Sequence, residues 1–198
     1  LDHFKREPGS GNMDNWIEVE ESLKNPKNEV EIAVVGKYIE LTDSYKSIYE
    51  ALTHGGIANN SRVRFRRIQA EDLANGDPAA VLGGIDGILV PGGFGERGLE
   101  GKVNTIRYAR ENNIPFLGIC YGMHAAVIEY CRNVLGIQEA SSTEIHKDTP
   151  HPVITLLQDQ QDVSEKGGTM RLGGWPCRFQ ESSTCHKEYG TMDVSERH

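Results

Sequence analysis

Apolar and polar positions along this chain follow two alternating rhythms. Val30 to Val35 is an almost unbroken apolar run that suits a buried strand. Asp43 is placed to cap a following helix that carries Tyr45, Ile48 and Leu52 on one face. Val63 and Phe65 then alternate with arginines, as in a strand at a sheet edge, and the cluster Arg62, Arg64, Arg66 and Arg67 reads as its solvated face. Ile85 to Val90 is a second apolar strand, residues 101–112 a helix, and Phe116 to Ile119 a third apolar strand, expected to be buried. The stretch Ala125-Ala-Val-Ile-Glu-Tyr130 continues as a helix with apolar positions about one turn apart. Strand and helix in alternation predict an α/β fold with a parallel sheet covered on both sides. Beyond residue 133 the pattern loosens. Val153 to Leu157 suits a strand, residues 158–167 a polar excursion, and Gly168 to Leu172 a partner for that strand.

The most informative junction is Pro115-Phe-Leu-Gly-Ile-Cys120-Tyr-Gly-Met-His124, where a strand empties into a helix through a cysteine. Gly118 and Gly122 flank Cys120 two residues to either side. They remove side chains where strand and helix cross, so a nucleophile can be held in a strained backbone conformation at the sheet edge. Unpaired amides at a helix start favour a thiolate over a thiol, so a partly ionised Cys120 is expected. The plainer alternative is a small buried cysteine packed as a hydrophobe.

A thiolate that attacks a carbonyl creates an oxyanion and requires donors for it. The backbone amide of Tyr121 is one candidate. The other is Gly93, in the loop Pro91-Gly-Gly-Phe-Gly-Glu-Arg-Gly98 at the carboxyl end of the Ile85 to Val90 strand, where open α/β sheets form their crevices. Loss of one such donor costs on the order of 3 kcal/mol of transition-state stabilisation. Gly93-Phe-Gly95-Glu-Arg-Gly98 also satisfies the dinucleotide-binding pattern, but the next strand ends in Cys120 and lacks the acidic residue that would hold a ribose.

These motifs carry a resemblance. The Gly-Ile-Cys-x-Gly-Met elbow after Pro-Gly-Gly-Phe-Gly resembles the class I glutamine amidotransferases and, among them, the CTP synthase family. The segments Val35-Gly-Lys-Tyr38 with Leu41-Thr-Asp-Ser-Tyr-Lys-Ser47, Asn133 through Glu144, and Gly167 through Gly173 agree with that family in order and spacing. The resemblance covers nearly the whole chain. It implies a flavodoxin-like, mostly parallel sheet with helices on both faces. It also implies Cys120 as nucleophile, with Gly93, Tyr121, His124, Glu144 and Phe94 lining a site for L-glutamine, and Glu144 meeting the substrate ammonium. In this family glutamine is usual at the position of His124 and leucine is common at that of Tyr121.

Amide hydrolysis by a thiolate also needs an acid for the departing ammonia and a base for water. The resemblance implies a His-x-Glu unit, and the chain is expected to end before it. His186-Lys-Glu188 and His146-Lys-Asp148 have related spacings but follow no buried strand. Residues 1–28 read as an interdomain linker in which Trp16, Ile17 and Val19 suggest partial packing, and residues 29–198 as an amidotransferase domain incomplete at its C-terminal end. In the whole enzyme the resemblance implies a synthetase domain that uses ATP, magnesium and UTP, regulation by GTP, and a homo-tetramer. No cofactor is expected in this chain itself. Two other readings stay open: a catalytically silent interaction module, and another hydrolase of the same superfamily.

Composition narrows the partners. The 198 residues, 37% of them hydrophobic, suffice for one sizeable core. With 21 basic against 29 acidic residues the net charge is −8, which argues against broad contact with nucleic acid or an anionic membrane. Four cysteines without a C-x-x-C pair suggest reduced thiols and a cytoplasmic location, with Cys131, Cys177 and Cys185 given no role beyond packing or exposure.

Overall fold

A computed structural model describes residues 11–41, 43–156 and 173–197. The chain divides into two compact units, residues 1–155 and 156–198. The expected strand of residues 168–172 and the whole polar excursion of residues 158–167 lie outside the described residues.

The first unit begins with helix α1 (Asp14–Lys24), followed by strand β1 (Asn28–Gly36), helix α2 (Lys46–Ala58) and strand β2 (Ser61–Gln69). A short 3-10 turn (Ala70–Leu73) leads through helix α3 (Pro78–Leu82) to β3 (Gly87–Val90), α4 (Leu99–Glu111), β4 (Phe116–Gly118) and α5 (Tyr121–Asn133). The four strands form one sheet in the order β2-β1-β3-β4, with every pairing parallel. This is the parallel α/β sheet that the alternation of elements predicts, in the strand order of the flavodoxin-like arrangement that the resemblance implies. Ala33, Val34 and Val35 in β1 and all of β3 are buried. Successive strand residues point to opposite faces, so consecutive burial requires cover on both sides. Two short strands, β5 (Ala140–Ser142) and β6 (His151–Ile154), form a separate parallel pair.

Several expectations shift. Asp43 does not cap α2. Tyr45 occupies that position, with its ring against Gly36 and its hydroxyl accepting from the amides of Lys37 and Tyr38 at 3.1 and 3.2 Å. A buried phenol that satisfies two amides at the end of β1 does more for the local structure than an exposed carboxylate could. Strand β4 pairs with β3 alone among the described residues, so Leu117 is 56% exposed and Ile119 38%, where a buried strand was expected. Within the stretch read as a linker, α1 places Trp16, Val19 and Leu23 at a spacing of one helical face, and they line an apolar groove with Thr53, His54 and Ile57 of α2.

Arg64, Arg66 and Arg67 of β2 are solvated but partnered. Arg64 meets Glu29 at 3.1 Å, Arg66 grips Glu31 with contacts of 3.2 and 2.6 Å, and Arg67 lies over the Tyr49 ring. The Arg66 guanidinium holds the Glu31 carboxyl below the usual carboxylate range.

In the second unit, β7 (Gly174–Arg178) and β8 (Asp193–Arg197) pair antiparallel around helix α6 (Thr184–Tyr189). Ser183 caps α6 by accepting from the His186 amide at 3.1 Å, and Phe179 stacks obliquely on Tyr189. Its strands are mostly exposed.

Candidate active site

Cys120 lies at the junction of β4 and α5 in the left-handed region, with φ of 52° and ψ of −109°. A non-glycine residue keeps such a conformation only where its surroundings impose it. Here they do. A Cβ added to Gly122 would lie 2.0 Å from the Val90 carbonyl oxygen, and one added to Gly118 would lie 2.6 Å from the Gly122 carbonyl carbon. Strand and helix therefore approach to a distance only glycine allows, and the chain between them turns through Cys120. The cysteine is exposed and free, so the buried-hydrophobe alternative is excluded.

The glycine-rich loop closes against this turn. A Cβ on Gly92 would sit 3.5 Å from that of Cys120. The Gly95 amide donates to Glu144 Oε1 at 3.1 Å, which joins the loop to the segment after β5. The Phe94 carbonyl accepts from Lys37 Nζ at 3.0 Å, while its ring is partly exposed. Among the described residues, the amides of Gly93 and Tyr121 donate to no other backbone or side-chain acceptor. His124 lies one turn into α5, half-buried, with its amide on the Cys120 carbonyl and its ring centroid 6.3 Å from that of Tyr121. The structure thus gathers Cys120, Gly93, Phe94, Tyr121, His124 and Glu144 within one unit at the carboxyl ends of β3 and β4.

Three features escape a reading of motifs alone. The Tyr121 side chain is 2% exposed, and its hydroxyl donates to the Gly95 carbonyl at 2.6 Å. Burial first, and the carboxylates of Glu144, Glu100 and Glu96 after it, raise the phenol's pKa. Lys102 is 1% exposed, and its Nζ lies 4.5 Å from the Tyr121 ring centroid. Burial pushes its ammonium down to about 8, an effect the neighbouring Lys37 reinforces and Glu71 and Cys120 oppose. A signal for Lys102 was present: it shares the 3.6-residue stripe of Leu99, Val103 and Ile106, all buried. Third, His146 Nδ1 lies 2.9 Å from the buried Ser141 Oγ, and its Nε2 faces Glu96 of the loop at 3.6 Å.

Between α4 and α5, the buried Glu129 receives Arg110 through contacts of 2.8 to 3.2 Å and Asn133 at 3.2 Å. That carboxylate raises the Arg110 pKa. Among the described residues no group of three His, Cys, Asp or Glu side chains is placed to hold a metal ion, and no helix is long and apolar enough to cross a membrane. Cys131 is partly buried, Cys177 and Cys185 are exposed, and all three are free.

The glutamine amidotransferase class-I family matches residues 40–198 of this geometry. The chain belongs to that family. The amidotransferase is 52% identical to the CTP synthase of Desulfotalea psychrophila over 94% of its length and 53% identical to that of Flavobacterium psychrophilum over 97%. It spans 36% of the length of both relatives. In structure it is similar to the glutaminase domain of Trypanosoma brucei CTPS with bound acivicin, with a TM-score of 0.74 and 39% identity over 85% of this chain and 66% of that one.

Proposed function

We propose that this amidotransferase is the glutaminase module of a CTP synthase that works in the cytoplasm, in pyrimidine biosynthesis. The observation that carries the reading is an exposed cysteine forced to positive φ at a strand–helix elbow, with Gly92 of the glycine-rich loop in contact. Cys120 Sγ attacks the side-chain carbonyl carbon of glutamine, and the carbonyl electron pair moves onto oxygen. The amides of Gly93 and Tyr121 receive that oxyanion, which places preformed dipoles where charge develops. Collapse re-forms the carbonyl, breaks the carbon–nitrogen bond and releases ammonia with one added proton, leaving a glutamyl thioester. Water then attacks the thioester, giving glutamate and regenerating the thiolate.

Glu144 faces the ammonium of glutamine, its carboxylate held in place by the Gly95 amide. His124 takes the position of the usual glutamine and offers one imidazole donor to the substrate, and Phe94 covers the pocket. The acid–base step belongs to a histidine–carboxylate pair, and we assign neither histidine of the related spacings to it. His146 is engaged with Ser141 and Glu96, and His186 lies in the exposed helix α6.

Ammonia released here would aminate UTP in a synthetase domain of the whole enzyme, where ATP and magnesium act. GTP regulation and tetramer formation are likewise assigned to that whole enzyme. The test is full-length protein carrying Cys120→Ala. Glutamine-dependent CTP formation should disappear while ammonia-dependent formation persists. Persistence of the glutamine-dependent reaction would contradict the reading.

A further inference from the structure

The backbone amide at position 121 is one that any residue would supply. In this chain the side chain joins the two halves of the oxyanion site. Its hydroxyl donates to the Gly95 carbonyl, two residues beyond Gly93, and its ring covers the ammonium of Lys102. That ammonium lies directly under the loop, 3.6 Å from where a Cβ of Gly93 would stand. Among the described residues Lys102 has no hydrogen-bond acceptor, so the ring face and the underside of the loop are what it packs against. Gly95 is thus fixed at both polar ends, its carbonyl by Tyr121 and its amide by Glu144.

We propose that the Tyr121 side chain and Lys102 are positioning residues that hold the glycine-rich loop with the Gly93 amide turned toward Cys120. The inference rests on the reading of Gly93 as an oxyanion donor. A loop of small residues has many backbone conformations to lose, and a donor displaced by even 1 Å loses much of its effect in the transition state. The phenol supplies the rigidity that leucine at this position could not supply by hydrogen bonding. The cation fills the space beneath Gly93 while the ring keeps it from turning away.

Two reagents separate positioning from general damage. Cys120 attacks the ketone of the diazo-ketone analogue of glutamine to give an oxyanion, and the diazo carbon takes up a proton. As sulfur shifts to that carbon, dinitrogen leaves and the carbonyl re-forms, so capture of the oxyanion precedes inactivation. Iodoacetamide loses iodide at a methylene carbon and needs no oxyanion donor. In the intact protein, Tyr121→Phe, which removes only the hydroxyl, should slow inactivation by the analogue about fivefold while leaving alkylation of Cys120 by iodoacetamide unchanged. Lys102→Met, which keeps the stem but also removes a cation that favours the Cys120 thiolate, should slow both reagents, the analogue about fivefold more than iodoacetamide. Unchanged rates with both reagents, or a parallel fall in both, would overturn the proposal. The glutaminase reading fails separately: it is lost if iodoacetamide modifies Cys120 of the unaltered protein and the analogue does not.

Discussion

Charged residues occupy both sides of this sheet, and they are handled in opposite ways. Along β2, Arg64 and Arg66 pair with Glu29 and Glu31 in partial or full contact with water. Lys102 under the glycine-rich loop and Glu129 between α4 and α5 are each 1% exposed. Surface pairs cost and contribute little because water solvates either partner alone. A buried charge is expensive, and here Arg110 and Asn133 offset the cost for Glu129 while the Tyr121 ring faces Lys102. The elbow side is over-determined by contacts that tolerate no alternative, and the edge side is a solvated border.

Substitutions should expose that contrast in descending order. Gly122→Ala drives a methyl group into the Val90 carbonyl, and about 4 kcal/mol of destabilisation is expected, measured by chemical denaturation. Arg110→Ala strands the buried Glu129 carboxylate and should cost about 3 kcal/mol in the same assay, more than Glu129→Gln.

Lys102→Met should act in the other direction. In the folded protein the ammonium is held down to about 8, against 10.5 when unfolded, so the folded state binds this proton less tightly. Burial of the charge therefore costs stability in full below pH 8, and the cost is relieved as pH rises from about 8 toward 10.5. Removing the charge should stabilise the protein by about 2 kcal/mol at pH 7, after allowing for the lost contact with the Tyr121 ring, with the gain fading by the upper end of that window. A variant more stable yet slower toward the glutamine analogue is the expected signature of a residue retained for its site. Arg64→Ala, at the solvated edge, should change stability by less than about 0.5 kcal/mol.

Much of this was legible in the residues. Strand and helix periodicity, the paired glycines around Cys120 and the Pro-Gly-Gly-Phe-Gly loop specify a parallel sheet with a thiol at its crevice, because each feature obeys a local steric rule. What escaped was non-local. Nothing near Tyr121 in sequence announces that its hydroxyl reaches Gly95, 26 residues away. Lys102 could be placed on a buried stripe from helical spacing, but not under Gly93. The exposure of Leu117 and Ile119 could not be read from an apolar triplet, since burial depends on what pairs with β4. Asp43 does not cap α2 because the helix starts after Tyr45, whose side chain folds back over Gly36 to the end of β1, a placement with no local signature.

The central claim is that Cys120 is a nucleophile set in a glutamine pocket. Mass spectrometry of the intact protein after exposure to the diazo-ketone glutamine analogue tests it most directly. The account predicts one adduct, on Cys120, suppressed by added glutamine and absent from Cys120→Ala. Modification confined to the exposed Cys177 or Cys185, or labelling of Cys120 that glutamine does not compete away, would contradict it.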